Sequence, residues 1–357
     1  MPVPSVDQLQ KLREKGEEEA PGPCAQVLAS AQFINAHSQD VSVPAQGVQQ
    51  AAAKILAHMQ ALNYSPATWK THALNPQVAN DAALEWIFFV DLLNFSFWTT
   101  PGTPSHTVTV DGTCYTGYWT LPAAIRRASS EGVDLTDARV YASISRDQWR
   151  HVMRSDAEDA CLPMLDERLD VAHQAGRVLC DKYGGRFANL LAHCGGSAEH
   201  LVQRVVDEFP SFRDTHGFRG RSVALYKRAQ ILAADVWACF EGQGAGALDV
   251  GCLTMFADYR VPQALVHFGA LRYSTRLREY LERAEREGGE LASGHAWEVE
   301  IRGNSVWAVE CMRRHIRKTS GSDVSAVLID FYMWDYAKAH AEEMQAIPIH
   351  HTRSLYY

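Results

Sequence analysis

Asn80-Asp81-Ala82-Ala83-Leu84-Glu85-Trp86-Ile87-Phe88-Phe89-Val90-Asp91-Leu92-Leu93-Asn94-Phe95 is the stretch that decides the fold class. An Asn or Asp stands where a helix N-cap is wanted, and a strongly apolar run follows it. The pattern predicts a helix that Asn80 or Asp81 caps and that continues to about Phe95. Late in the run stand Asp91 and Asn94, three apart and so on one face. A carboxylate buried there is costly unless it is paired.

Helical periodicity extends on both sides. Residues 46–62 carry Val48, Ala52, Ile55, Leu56 and Met59 at i, i+4, i+7, i+8 and i+11. Downstream, helices are expected over 121–131, 145–154, 157–182, 197–208 and 222–240, then over about 262–269, 273–286, 296–317 and 321–345. The main strand signal lies in 107–118, where alternating β-formers flank Asp111-Gly112, the preferred type I′ dipeptide. The expected class is therefore mainly α with one small β-hairpin. Residues 1–25 read as a disordered tail ending in Pro21-Gly22-Pro23, and 26–357 as a single helical unit. Turn-rich Asp214-Thr215-His216-Gly217-Phe218-Arg219-Gly220-Arg221 permits a soft division near residue 220.

Bulk properties narrow the function. A chain of 357 residues, 46% hydrophobic and 21% charged, has the balance of an ordinary soluble globular protein. Its net charge of −8 disfavours a polymeric nucleic acid, whose binding needs a basic face, but suits a single nucleotide. Eight cysteines without a CxxC favour free thiols in a reducing compartment. The polar, charged N-terminal stretch carries no secretory pattern, and no apolar run is long enough to span a membrane, so the cytoplasm is the expected location. His193-Cys194, His200 and His350-His351 lack metal-ligand spacing, so neither a metal nor a cofactor is expected. Dinucleotide, P-loop and nucleophile-elbow motifs are absent as well.

Chemistry concentrates in Met255-Phe256-Ala257-Asp258-Tyr259-Arg260-Val261-Pro262-Gln263. Two readings stand side by side. Asp258 caps a helix opening near Pro262 while Phe256 and Tyr259 fill core, or it faces a stacked flat ring and steadies positive charge developing there. Asp335-Tyr336 in the last long helix is either a surface ion pair or a reader of ring N–H donors. His72 is either a satisfied core residue or a ligand contact.

Five segments recur in order in one family: the 255–263 stretch, residues 86–98, residues 225–237, Glu298-Val299-Glu300-Ile301-Arg302-Gly303, and Met333-Trp334-Asp335-Tyr336-Ala337. Together they resemble the queuosine salvage proteins, the queuosine 5'-phosphate N-glycosylase/hydrolase family, from about residue 32 to the terminal Tyr356-Tyr357. The resemblance implies an all-helical architecture akin to the DNA glycosylases, although no helix-hairpin-helix signature is present. It implies hydrolysis of the N-glycosidic bond of queuosine 5'-phosphate, giving queuine and ribose 5-phosphate for return of the base to tRNA. It further implies Asp258 as the catalytic carboxylate, Phe256 as a wall for the base, and Asp335, Tyr336 and His72 as substrate ligands. Asp91 and Asn94 are held level between a structural pair and a site for the cationic amine of queuine. Lys227, opening an apolar helix beside Arg228, is the choice for the 5'-phosphate. Relatives carry an acidic residue where Ala339 stands, so no ligand role is carried to it. Glu298, Glu300 and Arg302 are expected to form a structural charge network. The expected partner is a small nucleotide, with no membrane and no polymer, and the oligomeric state is open. The main rival is a non-catalytic binding protein for queuine or a modified nucleoside. Further alternatives are a glycosylase acting on a nucleic-acid polymer and a helical interaction protein.

Overall fold

A computed structural model describes residues 21–357 and explains why the helix expected from Asn80 begins where the sequence predicts but ends early. Asn80 caps it, Oδ1 accepting from the Ala83 N–H at 3.0 Å, and the helix runs Asp81–Leu92. The last carbonyls of any helix lack an i+4 donor. Here two buried guanidinium groups from elsewhere in the chain supply the donors. Arg228 of helix Lys227–Cys239 donates to the carbonyls of Asp91, at 3.2 Å, and of Leu92. Arg168 of helix Leu165–Tyr183 donates to the carbonyls of Leu93 and Phe95. With those carbonyls satisfied, residues 93–98 leave the helix as irregular chain, and Ser96 takes a positive φ of 49°.

Helix Ala296–Ser320 packs against Pro23–His37, Ala45–Ala61 and Ala326–Ala339. Lys227–Cys239 packs against Asp81–Leu92 and the 3-10 turn Pro66–Thr71, and Val261–His267 against Ala326–Ala339. The remaining longer helices are Thr120–Ser130, Arg146–Val152, Ala198–Glu208 and Thr275–Glu287. Buried apolar side chains form one cluster reaching from Cys24 to Met344. Among the described residues no helix is long and apolar enough to cross a membrane.

Mainly α is the class found, but the single hairpin is too few. The expected one pairs Thr107–Val110 with Thr113–Thr116, and Asp111 and Gly112 take φ of 50° and 77°, as a type I′ turn requires. A second hairpin pairs Thr215–Phe218 with Arg221–Ala224 around Arg219 and Gly220 at φ 49° and 77°. The turn-rich stretch near residue 220 is this hairpin. It also displaces the start of the helix expected at 222 to Lys227. A third pair, Val41–Ser42 with Arg272–Tyr273, is only two residues long.

The tail expected over 1–25 lies outside the described residues except at its end, where Pro23 opens helix Pro23–His37. That helix buries Val27, Ala31 and Ile34, an i, i+4, i+7 face that marks it in the sequence. The helix expected from 157 starts only at Leu165. Ala138–Tyr141 and Phe187–Ala192 are too short to show a period.

Gly303 lies where Ala296–Ser320 crosses Pro23–His37. A Cβ there would stand 2.9 Å from Ile34 Cβ and closer still to its methyl groups. At an unhindered helix position Gly→Ala stabilises by about 1 kcal/mol. Gly303→Ala is expected to do the reverse, destabilising by about 1–3 kcal/mol through overpacking. Denaturant unfolding reads the sign directly.

Candidate active site

The segment 254–260 lies outside helix and strand, so its backbone groups need side-chain partners. Three helices supply them. Gln230 Oε1 accepts from the Thr254 N–H at 2.9 Å, and Asp330 Oδ1 from the Phe256 N–H at 3.0 Å. Arg302 Nε donates to the Ala257 carbonyl at 2.8 Å. Asp258 Oδ1 then accepts from the N–H groups of Arg260, at 2.9 Å, and Val261, at 2.8 Å, where helix Val261–His267 begins. The capping and cavity-facing readings of Asp258 are therefore compatible. Oδ1 serves the helix start, and Oδ2 has no hydrogen bond to any of the described residues.

Behind this segment Arg302 is fully buried. Its guanidinium donates to Asp214 Oδ1 at 3.0 Å and Oδ2 at 2.6 Å, and to Glu298 Oε1 at 3.1 Å. The Tyr357 ring lies against it, 3.9 Å from Cζ to the ring centroid. Asp214 also accepts from His216 at 3.0 Å and from the backbone N–H of Lys227 at 3.1 Å. One carboxylate thus fixes both Lys227 and, through Arg302, the residue preceding Asp258. Glu300 sits outside this network and accepts from the N–H groups of Gln39, Asp40 and Val41.

These elements enclose a cavity of about 470 Å³. Lys227, Asp235, Asp258 and Asp330 lie in its lining and are all buried. Trp69, Tyr118, Trp119, Phe256 and Trp334 form aromatic wall, and Asp335 and Lys338 are exposed at the mouth. His72 stacks on Trp119, centroids 3.3 Å apart and planes 7° from parallel. The Leu74 N–H donates to His72 Nδ1 at 3.3 Å. Burial lowers the His72 pKa, so a neutral ring with its proton on Nε2 can donate outward. Tyr64 donates its hydroxyl to Asp335 Oδ2.

The electrostatics of the buried group are unusual. Burial raises the Asp258 pKa, partly countered by Lys227 and the two N–H donors. Asp330 is raised well above the carboxylate range by burial and then by Asp258. Asp235 is raised likewise, by burial and Asp91, and Asp91 is pushed up to about 7 by burial. Burial also lowers Lys227, with Asp258 and Asp91 opposing. Several carboxyl groups around one ammonium cannot all ionise, so the site divides into charged and neutral acids.

Asp258, Phe256, His72, Asn94, Lys227 and Asp335 all line this one cavity. Asp91 and Tyr336 do not. Asp91 has no exposed surface and sits behind Asn94, whose amide reaches it at 3.4 Å. Tyr336 turns away to stack on His340, centroids 3.9 Å apart, beside His267 and Phe268. Adjacent helix residues diverge by about 100°, so Asp335 and Tyr336 cannot share a face. The helix N-terminus that the sequence offers for phosphate at Lys227 is already taken by the Asp214 carboxylate. Sequence reasoning missed Asp235, the one carboxylate of helix Lys227–Cys239, and Asp330, which shares helix Ala326–Ala339 with Asp335; an acid within an apolar run is the available signal. It also missed Tyr118 and Trp119, which the hairpin delivers to the wall. Among the described residues no group of three or more His, Cys, Asp or Glu is placed to hold a metal.

Asp214 is held well below the usual carboxylate range, chiefly by Arg302 and then by His216, which together outweigh its burial. A depressed carboxylate pKa stabilises the fold above the unfolded value of about 3.9, and that stability is lost as pH falls through the folded value. Asp214→Asn leaves Arg302 without its bidentate partner. It is expected to cost about 3–5 kcal/mol, the range for breaking a buried pair. Equilibrium unfolding at neutral pH measures this, and a loss below 1 kcal/mol (roughly, a surface pair's worth) would contradict it.

The family model described as queuosine salvage protein matches residues 74–357. A Bos taurus protein is 43% identical over 338 residues, covering 92% of this chain and 97% of its own length. One from Mus musculus is 43% identical over 344 residues, covering 94% of this chain and 100% of its own. A bacterial protein from Sphaerobacter thermophilus is 37% identical over 338 residues, covering 94% and 99%. All three carry the name queuosine 5'-phosphate N-glycosylase/hydrolase.

Proposed function

This chain belongs to the queuosine salvage protein family, and from that premise we propose that it hydrolyses the N-glycosidic bond of queuosine 5'-phosphate, releasing queuine and ribose 5-phosphate. The observation that carries the reading is the convergence on one cavity of a buried carboxylate, an aromatic wall and a rim that carries Asp335.

Breaking the C1'–N9 bond leaves positive charge on the sugar and negative charge on the base. Asp258 Oδ2 is the group assigned to the sugar, where an ionised carboxylate stabilises the oxocarbenium-like centre that water attacks. Its Oδ1 is fixed by two N–H donors, so the carboxylate is preorganised without moving in the reaction. Asp330, kept neutral by burial and by Asp258, is the second acid of the pair. A 7-deazaguanine has carbon where purines have N7, so help for its departure must come from another edge of the ring. Phe256 walls the base in this reading, and Asp335 accepts from its guanine-like N–H edge. His72 contributes its Nε2–H, and Lys227 limits the negative charge around Asp258. We propose the cytosol as the location of the reaction, a reading that eight cysteines without a CxxC favour.

Purified protein incubated with queuosine 5'-phosphate is expected to release queuine, and Asp258→Asn to bind queuine yet lose most turnover. Near-normal release by that variant, followed by mass spectrometry, removes Asp258 from the mechanism. Queuine bound tightly but never released from the nucleotide by unaltered protein would turn the reading into a carrier. Asp335→Ala is expected to weaken queuine binding by about 1–3 kcal/mol, since ring donors lose their acceptor. Calorimetry tests it, and an unchanged dissociation constant means that the edge is read elsewhere.

A further inference from the structure

We infer that Arg260 and Lys338, at the mouth of the cavity, form the subsite for the substrate's 5'-phosphate, a dianion held between two side-chain cations. This rests on the nucleotide reading above and deepens it. Lys227, the cation that the sequence favours, is poorly disposed for the task. Its ammonium is buried among Asp258, Asp91 and Asp330, and its backbone N–H is spent on Asp214. A phosphate at that depth would meet carboxylates before it met a donor.

The other two cationic side chains in the cavity lining stand elsewhere. Arg260 follows Asp258 by two residues, and its backbone N–H is the one that Asp258 Oδ1 accepts. The guanidinium therefore springs from the same turn that aims the sugar-facing carboxylate. Its one hydrogen bond is a long one, 3.4 Å to Gln263 Oε1, and its face lies 5.8 Å from the Tyr259 ring centroid. Lys338 lies three residues after Asp335 on helix Ala326–Ala339, hence on the same face. Its ammonium stands 5.5 Å from the Trp334 ring centroid, and 3.8 Å from where a Cβ on Gly117 would lie. It thus spans the rim from the helix to the turn after the first hairpin.

Neither cation has a carboxylate within ion-pair distance among the described residues, although the chain as a whole carries −8. Among the acidic groups, Glu285 and Asp258 feel the Arg260 charge, and Asp335, three residues before Lys338, is tied to Tyr64. The two cations repel one another, and partial desolvation at the rim, with Arg260 nearby, lowers the Lys338 pKa. An arriving phosphate relieves that repulsion and accepts charge-assisted hydrogen bonds from both. The interior offers the same group no free cation among the described residues, because Lys227 is matched by Asp258 and Asp91, so the nucleotide is oriented with phosphate outward and C1' inward.

The test compares the full chain with the variant carrying Arg260→Gln and Lys338→Gln. Calorimetric binding of ribose 5-phosphate needs no turnover and is expected to weaken about tenfold or more in the double variant. The ratio of kcat/KM for queuosine 5'-phosphate to that for queuosine is expected to fall toward one. Unchanged sugar-phosphate affinity, an unchanged ratio, or no binding of ribose 5-phosphate by the unaltered protein overturns the subsite. Binding that depends on both side chains, in a protein that releases base from neither substrate, would sink the hydrolase reading while leaving the subsite standing. Should the double variant not fold, Lys338→Gln alone, at an exposed helix position, gives the same two readouts.

Discussion

Three buried guanidinium groups, those of Arg168, Arg228 and Arg302, hold the irregular backbone from which the cavity is built. Irregular chain cannot pair its own carbonyls, and a buried unpaired carbonyl costs as much as a lost hydrogen bond. Arginine answers this with five donors in a rigid fork. Arg168 and Arg228 take the carbonyls of Asp91, Leu92, Leu93 and Phe95, and Arg302 takes that of Ala257. Aromatic faces cover the planar groups, Phe95 lying 4.2 Å from Arg168 and Phe212 4.6 Å from Arg228. Burial lowers both to a pKa of about 9, so they remain charged at neutral pH. Arg302 is raised instead, because Asp214 and Glu298 outweigh its burial.

This scaffold sets the charge pattern of the site. Asp214 serves Arg302 and the start of the Lys227 helix together, so the positions of Asp258 and Lys227 are linked through one ion pair. Around them Asp91, Asp235 and Asp330 are buried with a single ammonium, and the excess acid stays protonated. A site that keeps one carboxylate ionised beside neutral ones is equipped to steady a cation without repelling a nucleotide outright. The cations at the mouth and the matched Lys227 inside then give the substrate a direction.

Much of the fold was legible because period and caps are local. Asn80, the 46–62 stripe and the Asp111-Gly112 turn were read from neighbours within a few residues. What escaped was set from a distance. Nothing near Leu93 announces that Arg168 and Arg228, 75 and 136 residues away from the carbonyls they take, would end the helix early. The second hairpin was hidden by Gly217 and by an Arg219-Gly220 turn in place of the usual Asn or Asp with Gly. At the site, Asp258, Phe256 and Asp335 line the one cavity, whereas Tyr336, adjacent to Asp335, stacks on His340 outside the lining. Asp330 shares its helix with the exposed Asp335, and its own burial shows only when the helix is packed.

The most direct test of the account is the pH dependence of kcat/KM for queuosine 5'-phosphate. Asp258 must be ionised to steady the sugar, and burial raises its pKa. Activity should therefore fall with decreasing pH along a limb lying above the ordinary aspartate value of about 3.9. A profile that stays flat down to that value would mean that the group carrying the reaction is not a buried carboxylate in this cavity.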